Sequence, residues 1–247
     1  MHSSDAQLPR PAPADFATTQ WSLVVGAAGR ERPDAGAALA LLCQRYWYPL
    51  YSYVRRRVAD VNEAQDLTQE FFARLLEKNT LAHASPERGR FRAFLLTSMR
   101  NFLVNEWDRT RAQKRGGDHR HLPLDFDSGE SRLHFEPADK RSPERIFERE
   151  WALLLLELVL QRLAAESVAA GKQRQFEILQ PTLAGSRTAS YEQIAQELGT
   201  TEEAARQAAH RLRKRYRELL REEIRRTIAE PGEVDDEIRS LFEVLGG

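Results

Sequence analysis

Apolar residues recur along most of the chain at spacings of three and four, the period of one face of an α-helix. Residues 37–58 hold such a stretch, with Pro49 placed to kink or restart it. Asn62 and Glu63 begin a second, with Ala64, Leu67, Phe71, Leu75 and Leu76 inward and Asp66, Gln69, Glu70 and Arg74 outward. A third runs from Phe91 through Phe94, Leu95, Met99, Phe102 and Leu103 to Trp107. Ser142-Pro143-Glu144 is a strong helix start, and the helix behind it should place Ile146, Phe147, Leu154, Leu158 and Leu163 inward. Residues 172–183 form a short helix ended near Pro181, and Val234, Ile238, Leu241, Phe242 and Leu245 line one side of a last, acidic helix. Thr18 or Thr19 is placed to cap a short helix containing Trp21, Val24 and Val25.

The most informative pattern lies between Ser190 and Ile224. Tyr191, Ile194, Ala195 and Leu198 form one apolar face, and Gly199 supplies the positive φ of a helix end. Thr200 or Thr201 caps a second helix, with Glu202 and Glu203 in its first turn. Ala205, Ala208, Leu212, Tyr216, Leu219 and Leu220 make its buried stripe. From Arg206 to Arg217 there are six Arg and Lys residues and no acid, with His210 among them. Two helices, a tight turn and one-sided positive charge predict a helix-turn-helix, its second helix entering the major groove. The plainer alternative is an amphipathic hairpin with a solvated Arg-rich face.

Composition narrows the choices. The hydrophobic fraction of 41% permits a real core, while 37 basic and 37 acidic residues give no net charge, so the argument for nucleic acid is local. The one cysteine, Cys43, sits in an apolar run and reads as core; it has no internal partner for a disulfide. No apolar run is long enough to span a bilayer, no signal peptide stands at the N-terminus, and a cytoplasmic protein is expected. The aromatic group Tyr46, Trp47, Tyr48, Tyr51 and Tyr53 reads as core before it reads as a base-stacking platform. His119 and His121, with Asp118 and His134, lack the spacing of a metal site. No catalytic arrangement and no phosphate-cradling glycine loop stands out, so neither an enzyme nor a cofactor is expected.

The expected fold is therefore all-α: two small helical domains joined by a flexible linker, the second containing the helix-turn-helix. The boundaries are a disordered tail at 1–15, a first domain at 16–115, a linker at 116–141, a second domain at 142–228 and an acidic amphipathic extension at 229–247.

Asp66-Leu67-Thr68-Gln69-Glu70-Phe71-Phe72 is similar to a DLxQExF segment, and with the basic Phe91–Arg115 helix and the Tyr191–Arg217 hairpin the chain resembles a sigma-70 family sigma factor of RNA polymerase, of the extracytoplasmic-function type. It is most similar to a subgroup with TTxWSLV, RRR, RFRxFLL and KRGG motifs and an acidic tail. The resemblance implies that Asp66, Gln69, Glu70 and Arg74 meet the clamp of core RNA polymerase, while Leu67 and Phe71 stay in the core. It implies that Arg90, Arg92, Arg100, Asn101, Asn105, Arg109, Arg111, Lys114 and Arg115 serve the promoter −10 element, a flipped base sitting near the loop 79–92. It implies that Thr201, Arg206, Gln207, His210, Arg211, Arg213, Lys214 and Arg217 serve the −35 element. Asn105 and Asp108 stand where the family often has Asp and Arg. Ala208 stands where Arg is frequent, which shifts base readout to Arg206, Gln207, His210 and Arg211. The partners implied are core RNA polymerase and promoter DNA, with room for an anti-sigma factor or other regulator.

Two other functions fit parts of the chain. An operator-binding regulator would use 190–226 without polymerase, leaving the DLTQEFF segment unexplained. A protein-interaction module would show no salt-dependent DNA binding.

Overall fold

The computed structural model describes residues 35–77, 81, 84, 89–112, 124–134, 141–184, 189–228 and 231–246. The expected tail at 1–15, the short helix at Thr18–Val25, and Asp118, His119 and His121 lie outside the described residues. The described chain is all-α, with nine α-helices and no strand. They are α1 (Ala35–Arg55), α2 (Val61–Glu77), α3 (Phe91–Ala112), α4 (Phe126–His134), α5 (Pro143–Ala169), α6 (Gln173–Leu179), α7 (Tyr191–Leu198), α8 (Glu202–Arg225) and α9 (Val234–Gly246).

The helix α1 runs through Pro49 without a break. Its second half is enclosed on all sides: Leu50, Tyr51, Ser52, Tyr53 and Val54 are all buried. The tyrosines are core, their rings meeting Phe91 and Phe126 edge-on. Burial drives the Tyr46 hydroxyl up to about 12 and the Cys43 thiol to about 11. The cap of α2 is Asp60, whose carboxylate accepts the Glu63 N–H at 2.8 Å, two residues earlier than Asn62. Gly89, with φ of +106°, makes the bend that leads into α3.

The longest element, α5, is the axis of the molecule. Ser142 accepts the Arg145 N–H at 3.3 Å and Pro143 opens the helix. Its buried ridge is Phe147, Trp151, Leu155 and Val159. The expected inward positions Leu154 and Leu158 are only half-buried. The Phe147–Trp151 pair, four residues apart, sets the ridge one position further along. One side of α5 packs on α1, and the others receive α8 and α9. As a result a single apolar cluster runs from Leu42 to Leu241, and a smaller one, with Leu179, Ile194, Ala195, Ala205, Ala208 and Ala209, lies beneath α7 and α8. The two expected helical units thus share a core through α5.

The expected flexible linker is ordered in part. Residues 126–134 form α4, laid on α1. Phe126 inserts between the Trp47 and Tyr51 rings at 5.7 and 5.0 Å, and Glu130 accepts from Tyr51 Oη at 2.5 Å and Arg55 Nε at 2.7 Å. The acidic extension packs back: α9 buries Val234, Glu237 and Leu241 against α5 and α8, while Phe242 stays exposed. Among the described residues no helix is long and apolar enough to cross a membrane.

Candidate nucleic-acid interface

The pair α7–α8 is built from local signals. Ser190 caps α7 reciprocally: its hydroxyl accepts the Gln193 N–H at 3.2 Å, and its own N–H donates to Gln193 Oε1 at 2.9 Å. Gly199, at φ of +64°, closes the helix, and the next N–H, of Thr200, reaches back to the Ala195 carbonyl at 2.9 Å. Thr201 then caps α8 by accepting the Ala204 N–H at 3.2 Å. Ala195, Ala205, Ala208 and Ala209 are buried between the helices; side chains this small let the backbones approach closely.

That packing leaves one face of α8 in solvent. Thr201, Arg206, Gln207, His210, Arg211, Lys214 and Arg217 are all exposed on it. Two of them lean on acids of the preceding turn: Arg206 pairs with Glu202, and Gln207 Nε2 donates to Glu203 at 3.2 Å. Arg213 is placed differently. It is half-buried, with Nη2 donating to Tyr191 Oη at 2.9 Å, so it braces α8 against α7. Arg215, inside the basic run, turns to α5 and grips Glu166 with two 2.8 Å hydrogen bonds. These bonds hold Glu166 below the ordinary carboxylate pKa and push Arg215 up. Beside the outer face a cleft of about 820 Å³ is lined in part by Lys172, Arg174, Gly199, Thr200 and Arg211.

A second surface lies on α2 and α3. Asp66 is exposed, Gln69, Glu70 and Arg74 are half-buried, and Phe71 and Phe72 are core. Arg74 pairs with Glu70, meets Glu106 of α3 at 2.6 Å and lies 5.0 Å over the Phe102 ring. A groove of about 270 Å³ between the helices is lined by Phe71, Arg74, Ser98, Asn101, Phe102 and Asn105 among others. It brings together residues expected to meet polymerase with residues expected to meet DNA. Arg100, Asn101, Asn105 and Arg109 are exposed along α3, Arg109 pairing with Glu106 at 3.0 Å. Arg111 belongs to the last turn of α3, while Lys114 and Arg115 lie outside the described residues.

Arg90 and Arg92 do not share that surface. Arg92 is 5% exposed, stacked 4.1 Å over Trp151 of α5 and paired with Glu148 at 2.7 Å and with Glu237 of α9. Burial opposes its charge, but the two carboxylates outweigh it, and its pKa stands above the ordinary arginine value. Arg90 lies 2.7 Å from the other oxygen of Glu237. No sequence signal links these arginines to Glu237, which is 145 residues away from Arg92.

The sigma-70 region 2 family model matches residues 42–113, the span from α1 to just beyond the end of α3. No curated protein and no solved structure gives a match. The match covers less than a third of the chain and supports a sigma-70 region 2 there, on the helices that carry the second surface.

Proposed function

We propose that this chain is an extracytoplasmic-function-type sigma factor that directs core RNA polymerase, in the cytoplasm, to promoters read at both the −10 and −35 elements. The observation that carries the reading is the region 2 match over 42–113. The exposed cationic face of α8 behind a capped turn extends it to the second half of the chain.

In this reading Asp66, Gln69 and Glu70 form the polar edge that meets the polymerase clamp. Asp66 is the free-standing member, and Glu70 is oriented by Arg74. Arg100, Asn101, Asn105 and Arg109 present donors along α3 to the melted −10 strand, and Arg111, Lys114 and Arg115 continue the basic stretch. The N-terminal half of α8 enters the −35 major groove. Gln207, His210 and Arg211 face base edges, with Arg206 released from Glu202 to join them, and Lys214 and Arg217 meet phosphates. Thr201 holds the start of the helix, and Arg213 acts through Tyr191 as a positioning residue.

The test is transcription in vitro with purified protein, core polymerase lacking its own sigma, and a genomic promoter library. Promoter-specific RNA that is lost with Asp66→Ala/Glu70→Ala, at unchanged fold, supports the reading. A folded protein that neither binds core polymerase nor stimulates specific RNA overturns it, and operator binding without polymerase would then identify a simple regulator.

A further inference from the structure

Glu237 is a carboxylate with no exposed surface at all, set on the last helix of the chain. One oxygen binds the Arg92 guanidinium. The other lies 2.7 Å from Arg90 Nη2 yet makes no aligned hydrogen bond among the described residues. Both arginines stand at the start of α3, and Glu237 is carried by α9, which packs on α5 and α8. Beside the apolar core shared along α5, this side chain therefore adds a charged tie between the region 2 part of the chain and the part that bears the basic helix. Around it, Arg92 lies over Trp151 and pairs with Glu148, and Val234 and Leu241 fill the shared core. A surface pair, Arg221 with Asp235 at 2.5 Å, fastens the start of α9 to α8.

A carboxylate between two guanidiniums occupies the place a phosphate would take, because both are anions that guanidinium groups grip through paired N–H donors. We propose that α9 is an intramolecular latch. Its Glu237 fills the anion site of Arg90 and Arg92 and holds the two helical parts together until the phosphates of single-stranded promoter DNA, presented on polymerase, take those arginines. This rests on the function proposed above for the identity of the competing anion, but not for the existence of the latch.

The latch has the balance of a releasable contact. A buried charge removed from water is costly unless fully hydrogen-bonded, and Glu237 Oε2 is not. Losing the pair to another anion thus exchanges one imperfectly satisfied contact for new ones. The two states differ in whether Glu237 or an external phosphate neutralises the arginines of α3, so α9 and DNA bind reciprocally, each weakening the other.

The experiment places donor and acceptor dyes at Glu63→Cys on α2 and Glu192→Cys on α7, both exposed positions, in a Cys43→Ala background. Single-molecule energy transfer is then read for the full-length chain with and without Glu237→Gln. The wild-type chain should give one narrow, closed distribution, and Glu237→Gln a lower or broadened one. In complex with core polymerase, Glu237→Gln should bind a labelled single-stranded −10 oligonucleotide about tenfold more tightly. A folded Glu237→Gln with an unchanged distribution overturns the latch. An opened variant with unchanged oligonucleotide affinity overturns the competition with phosphate. Should Glu237→Gln fail to fold, the wild-type chain decides: a transcribing complex that keeps the closed distance overturns the proposal, and a lengthened distance supports it. Failure of the sigma-factor reading would show instead as no polymerase complex at all, while the dye distances of the free variant still report on the latch.

Discussion

Trp47 lies so close to Gly129 that a Cβ at position 129 would stand 2.9 Å from the indole Cη2. Gly129 sits inside α4, where alanine is ordinarily better than glycine by about 1 kcal/mol. Here the indole cannot retreat freely, because Tyr48, Tyr51 and Phe126 pack around it. Gly129→Ala is expected to reverse the usual sign and destabilise by about 1–2 kcal/mol. A calorimetric Tm that rises with the alanine would show that α4 does not hold this position.

The two halves of the outer face of α8 should respond differently. With polymerase present, Lys214→Ala is expected to weaken all −35 sequences alike and lower the salt slope of binding by about one ion. Gln207→Ala or Arg211→Ala is expected to cost about 1–3 kcal/mol at the preferred sequence and to relax discrimination there. Fluorescence anisotropy across a salt series, on a small panel of −35 variants, separates the two. Identical behaviour of all three substitutions would argue against a readout role for the first turns.

The helix-turn-helix pattern is legible because its signals are local. Ser190, Gly199 and Thr201 do in space what their chemistry announces within a few residues. The helix α4 is not legible: Gly129 speaks against a helix, and its short apolar set of Phe126 and Leu133 gains meaning only once α1 offers Trp47 and Tyr51. Arg92 shows the same limit more sharply. A basic residue at the start of a basic helix looks solvent-facing until Glu148, Trp151 and Glu237 arrive from distant parts of the chain. Asp60 escapes notice as a cap for a smaller reason, since Asn62, two residues on, has the same capping chemistry.

Acid should weaken the α5–α8 seam. Arg215 holds Glu166 below its ordinary value of 4.5, so the folded state takes up that proton less readily than the unfolded chain. The resulting stability is present above about pH 4.5 and is lost as pH falls through the lower, folded-state value. The pair is more than a third exposed, so solvent screening keeps the effect within about 1 kcal/mol. Urea midpoints of wild type and Glu166→Gln should differ at pH 7 and converge toward pH 3. A constant gap across that range would assign the difference to packing.

The Cys43 thiol, raised to about 11 from 9.0 by burial, should be nearly inert in the folded protein. At pH 8 a rise of that size leaves about a hundredfold less thiolate, the species that reacts. Alkylation by iodoacetamide is expected to follow unfolding and to be restored in about 6 M guanidinium chloride. Fast labelling of the native chain would mean that α1 opens locally around this residue.

The cationic face of α8 belongs to a molecule whose charges sum to zero. The attraction of such a body for DNA fades faster with distance than that of a cation, and at cellular salt it is felt only within about 8 Å. On the function proposed above, random encounters with the chromosome are therefore expected to be brief unless the cationic face itself meets the duplex. If the proposed function holds, its local concentration at a promoter would be set by the polymerase that carries it there, and competition among such proteins by the number of carriers and not by the length of the genome.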